Sequence, residues 1–209
     1  MKGSGTMHTI AISLKRTTAL AAISLLVSWT SGCEPQASLR YSDKLLVVKT
    51  MAVLPFQDAP GAHAKGSGRV VVNGIIGQLY QLPDIRVVER SRLATILKEK
   101  DFRGMLDPSR ASTIGKLAGA DLVIFGDVTQ YDAQQNYEHA AVVVVSGGGT
   151  KYIHRVGLSI RAVSVDDGRV IYARSGQGAD REGYTKAAEI AAEKAIRPLR
   201  EFYRQKRGQ

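Results

Sequence analysis

One cysteine, Cys33, stands alone in 209 residues, directly after a greasy N-terminal run. No disulfide can therefore form within the chain, and any fold must rest on an apolar core. The order of residues around Cys33 is informative. Lys15 and Arg16 supply positive charge, Thr17 to Trp29 carries none and is mostly apolar, and Ser31 and Gly32 are small. Positive, apolar, small is the order of a secretory signal. The uncharged run is shorter than the roughly 20 residues a spanning helix needs. The stretch before Lys15 is long for a signal, and translation from Met7 would shorten it.

Thr30-Ser31-Gly32-Cys33 resembles a bacterial lipobox, in which the cysteine becomes the new N-terminus and carries lipid. Thr30 stands where the motif usually has Leu. Cys33 is therefore the candidate lipidation site. The alternative is ordinary signal cleavage nearby, leaving a free thiol in an exported protein. Acyl chains in pairs anchor stably, whereas one alone is marginal. The resemblance also implies sorting to the outer membrane, because Glu34 rather than Asp follows the cysteine.

The expected organisation is a lipoprotein signal peptide at 1–32, a lipidated tether at 33–44 and one domain at 45–209. Residues 33–209 are enough for a sizeable core. The formal charge is +10, and losing Lys2, Lys15 and Arg16 with the signal leaves +7. In an exported protein that balance fits an acidic partner face, acidic polymer or anionic lipid rather than nucleic acid. Much of it is expected to be solvated surface.

Along the domain, Leu45 to Phe56 reads as a strand, and Gln57 to Gly68 as a flexible glycine loop. Val71, Ile75, Leu79 and Leu82 have the spacing of one helix face over 69–82. Ile85 to Val88 is a short strand, and Ser91 to Lys100 a helix with Leu93, Ile96 and Leu97 inward. Asp107-Pro108 has the form of an N-cap followed by Pro at the first helical position. That helix should bury Ile114 and Leu117 and stop at Gly119. Strands are expected over 121–131, 140–145, 152–165 and 169–175, with turns at Ser146–Thr150 and at Asp166-Asp167-Gly168. Glu182 to Lys206 reads as a long terminal helix. The fold class is α/β, of the α+β kind: a mixed sheet with packed helices and an antiparallel meander in the second half.

Catalytic constellations are thin. His63, His139 and His154 are scattered, although His139 and His154 could meet across a hairpin. The loop GAHAKGSG lies between a strand and a helix, as a phosphate loop does, but Ser67 stands where lysine is required. No catalytic residue, metal ligand or cofactor is assigned, and the chain is read as a non-enzyme.

The blocks VVERSRLATILKE, GADLVIFGDV and VDDGRVIYA, in that order over roughly 50–180, resemble the curli-production-assembly (CsgG) family of bacterial lipoproteins. The resemblance implies an anticodon-binding-like periplasmic domain. Known members form outer-membrane rings in which each subunit donates two β-hairpins to a shared barrel. Here 130–161 has room for one hairpin, and 169–182 has none for a second. Between Gln57 and Gly68, where the family's constriction loop would fall, there is no Tyr or Phe. The expectation is an outer-membrane-anchored periplasmic lipoprotein that assists secretion or assembly of a curli-like surface polymer. Its partners would be the membrane and proteins of that assembly, and a homo-oligomer is compatible with it. The alternative is an activator of a peptidoglycan synthase. Residues 34–44 span at most about 36 Å even when extended, which favours work close to the membrane.

Overall fold

A computed structural model describes residues 38–39, 42–99, 107–135 and 152–207. The expected strand at 140–145, the Ser146–Thr150 turn, His139, Cys33 and the signal segment lie outside the described residues.

Among the described residues, six strands form one sheet in the order β1-β6-β5-β4-β2-β3. They are β1 (Ser38–Leu39), β2 (Thr50–Val53), β3 (Arg86–Val87), β4 (Leu122–Gln135), β5 (Tyr152–Ser164) and β6 (Val170–Asp180). The helices are α1 (Ser42–Leu46), α2 (Ser67–Leu79), α3 (Arg90–Glu99), α4 (Pro108–Ala118) and α5 (Tyr184–Arg207). β2 runs parallel to both β3 and β4, while β4, β5, β6 and β1 pair antiparallel. The result is the mixed α+β sheet expected from the alternating first half and the meander of the second.

Period-two alternation sends the strands' side chains to two cores. Met51, Val53, Leu122, Ile124, Leu158 and Ile160 face α2 and α5. Ala52, Leu54, Val123, Phe125 and Val163 face α3 and α4. Covering both faces explains why 122–125 reads as an unbroken apolar run. Beyond α3 and α4 the second face is polar, and there Arg161 pairs with Asp127 at 3.3 Å.

Local signals set most boundaries. The Asp107 side chain accepts from the Arg110 amide at 2.8 Å, Pro108 opens α4, and Gly119 closes it with φ 68°. α2 buries Val71, Val72, Ile75 and Leu79 as the periodicity predicts. Thr129 is left out of the β4–β5 ladder by a bulge, and a Cβ on Gly157 would lie 2.8 Å from its hydroxyl.

Four expectations need correction. The segment at 45–56 is not one strand: α1 occupies Ser42–Leu46 and the strand starts only at Thr50. α1 is held from outside its own sequence, since the Tyr203 hydroxyl donates to the Leu45 carbonyl at 2.8 Å and Lys44 pairs with Asp167. The stretch assigned to a tether likewise joins the fold early, because Ser38–Leu39 pairs with Ala173 and Tyr172. Leu117 does not face the core and is 44% exposed, because the inward arc of α4 runs through Ala111, Ile114, Gly115 and Ala118. Finally, β6 extends to Asp180 rather than 175. Gly176 and Gly178, past the expected end, are the positions where α5 lies against the sheet.

Candidate functional site

The site begins where β2 ends. Leu54 and Gln57 continue along β4, their amides donating to the carbonyls of Ile124 and Gly126 at 2.9 and 3.1 Å. The chain then turns through Asp58 and a short 3-10 helix, Ala62–Ala64, and enters α2 after Gly66. Gly66 takes a left-handed conformation, φ 87°.

This loop is not the flexible connector its glycines suggest. Asp58 Oδ2 accepts from the Gly66 amide at 2.8 Å and Oδ1 from the Gly68 amide at 2.7 Å. Ser67 is fully buried, and its Oγ accepts from the Ala59 amide at 3.0 Å. The amides that a phosphate loop would offer an anion are thus taken by the chain's own carboxylate. The Gly66 and Gly68 bonds hold the Asp58 carboxyl below its usual range; burial opposes them, while Ser67 and Lys65 add to them.

Beside the loop lies a cavity of about 450 Å3. Val53, Pro55, Phe56, Val72, Leu93 and Leu97 give it an apolar lining, and Asp58, Lys65, Arg69 and Arg90 are its charged groups. Its place follows from the topology. Strand order β3-β2-β4 means that the connection leaving β2 and the one leaving β3 run in opposite directions, through α2 on one face and through α3 and α4 on the other. Such a switch opens a crevice past the carboxyl ends of the strands, where open α/β sheets commonly bind ligands. Arg90 Nη1 donates to Asn73 Oδ1 at 2.9 Å and ties α3 to α2 across this crevice.

The histidines converge more than their spacing implies. A ring nitrogen of His63 lies 3.1 Å from the Tyr131 carbonyl oxygen. The Tyr131 ring stacks on Tyr184 at 4.0 Å, and His154 lies edge-on to Tyr184 at 4.7 Å. Burial raises both phenols: Tyr184's charge adds to the shift at Tyr131, and Asp132's to that at Tyr184. The cluster packs the start of α5 onto the sheet and contains no nucleophile paired with a base. Among the described residues no three His, Cys, Asp or Glu side chains group closely enough to hold a metal ion. No described helix is long and apolar enough to cross a membrane.

Residues 62–192 match the family described as curli production assembly/transport component CsgG. The chain belongs to the CsgG family. The match runs from the 3-10 helix into the first part of α5 and so takes in much of the cavity. No curated protein sequence matches this CsgG-family chain. Several solved structures are similar to it. A PelC dodecamer from Paraburkholderia phytofirmans is 16% identical, covering 73% of this chain and 88% of that one, with a TM-score of 0.45. Lipoprotein GNA1162 from Neisseria meningitidis is 13% identical, covering 63% and 82%, with a TM-score of 0.43. The LpoB C-terminal domain from Escherichia coli is 13% identical, covering 62% and 81%, with a TM-score of 0.38.

The sequence carried the glycine loop and the histidines but not the cavity. Its lining comes from three separated segments, and only the β3-β2-β4 order brings Phe56, Val72 and Leu93 together.

Proposed function

We propose that this protein is an outer-membrane-anchored periplasmic lipoprotein that assists secretion or assembly of a curli-like surface polymer without catalysis. The family match over 62–192 carries the reading. Residues 1–32 are the signal peptide, Cys33 is the lipidated N-terminus, and the domain works close to the membrane. Only residues 34–37 separate Cys33 from β1, a reach of about 14 Å when extended. So short a linker weighs against a synthase activator that must cross the periplasm.

An accessory role, rather than a self-sufficient pore, is supported by the ends of β4 and β5. One face there carries Gln130, Asp132, Gln134 and Arg155 with Ile153 as its large apolar residue, and the other is packed by Tyr184 at Tyr131 and His154. A lipid-facing strand needs an apolar residue at every second position. β6 runs unbroken to Asp180, and α5 follows at Tyr184, so no second hairpin is inserted between them.

Two measurements test the proposal. Purified lipidated protein should give no salt conductance in planar bilayers, and a stable conducting ring would restore the exporter reading. Deleting the gene should lower the surface polymer, with rescue by the wild type and not by Cys33→Ser. Unchanged polymer in the deletion strain would remove the assembly role.

A further inference from the structure

We infer that the cavity between α2 and α3 is a binding site for an amphipathic organic anion, its apolar body on the Phe56–Leu93 floor and its anionic head between Arg69 and Arg90. The volume, about 450 Å3, is that of a small-ligand pocket, and the mostly apolar lining with a few convergent polar groups is its usual chemistry.

The placement of the charges selects the sign and the orientation. Arg69 and Asn73 are four residues apart on α2 and so lie one turn apart on the same face. Arg90 is hydrogen-bonded to Asn73, which holds the second guanidinium about one turn along α2 from Arg69. Neither Arg69 nor Arg90 forms an ion pair with a carboxylate among the described residues. Two guanidiniums, neither paired with a carboxylate and both lining an apolar hollow, suit an anionic group.

The amides at the start of α2 are closed to an anion. Asp58 fills the start of α2 and repels a second negative charge there. The head is therefore directed to the arginines, and burial of the body supplies the remaining affinity. Neither cation alone would suffice, because an exposed pair in water gains little.

Isothermal titration of the full chain in dodecyl maltoside micelles tests this, since partition of a probe into micelles is common to all variants. The probes are naphthalenesulfonate and its neutral isostere naphthalenesulfonamide. The wild type should bind the sulfonate about tenfold more tightly than the sulfonamide. Arg69→Gln with Arg90→Gln should remove that preference and leave the sulfonamide affinity unchanged. Ala94→Trp, which fills the cavity from α3, should abolish both affinities. Ala94→Leu should weaken both if the tryptophan variant does not fold, as judged by circular dichroism. Absence of sulfonate binding, equal affinity for the two probes, or indifference to the Ala94 variants would overturn the assignment.

Discussion

A Cβ on Gly178 would lie 1.9 Å from the carbonyl oxygen of Ala187. One on Gly176 would lie 2.1 Å from that of Ala191. β6 and α5 thus approach at a distance only glycine permits, and the α5 residues Ala187, Ala191 and Ala195 are buried against it. The clashing atoms are backbone, so an added methyl forces the helix outward. Gly178→Ala should cost about 1–3 kcal/mol or more, the range for overpacking. Gly77, exposed in α2 with nothing within 4 Å of its would-be Cβ, is the opposite case. Gly77→Ala should add about 0.5–1 kcal/mol. Denaturant midpoints of the two variants should move in opposite directions.

Asp58 gives the glycine loop a pH dependence. Its carboxyl is held below the usual value of 3.8, chiefly by the Gly66 amide and then by that of Gly68. A depressed acid contributes stability that is complete above its unfolded value and is lost as pH falls through the folded one. Asp58→Asn should therefore destabilise the protein near neutrality by about 1–2 kcal/mol, the scale of a lost helix cap. The gap between variant and wild type should close as pH drops below 3.8. A gap that stayed constant from neutral pH down to pH 2 would show that the charge of Asp58 plays no part.

Truncation separates core from rim. Ile124 is fully buried on the α2–α5 side and Leu93 is 3% exposed on the α3–α4 side. Replacing either with Ala should cost about 2–5 kcal/mol. Replacing Lys65, an exposed cation at the cavity mouth, should change stability by less than about 0.5 kcal/mol. Chemical denaturation of the three variants checks the order.

Much of the fold was legible where one local rule sufficed. The helix-face spacing of Val71, Ile75 and Leu79, the Asp107-Pro108 start, the Gly119 stop and the Asp167-Gly168 turn each specify structure within a few residues. What escaped depends on distant partners. α1 rests on Tyr203, more than 150 residues away in sequence. Gly176 and Gly178 lie past the expected strand end, and only the alanine stripe of α5 gives them a reason to be there. The loop at 57–68 looked mobile because Asp58 is separated from the amides it binds by eight and ten residues. Leu117 was misplaced because an apolar residue next to a buried arc is not always inside it. The cavity needed the strand order, which no local pattern in β2, α2 or α3 contains.

We propose that the chain is tethered to a membrane through Cys33. Intact-mass measurement of protein extracted from membranes with detergent tests it most directly. The expected result is an N-terminus at Cys33 and an added diacylglycerol, with Cys33→Ser yielding unprocessed or released protein. An unmodified Cys33, or a Cys33→Ser variant that stays processed and in the membrane fraction, would contradict it.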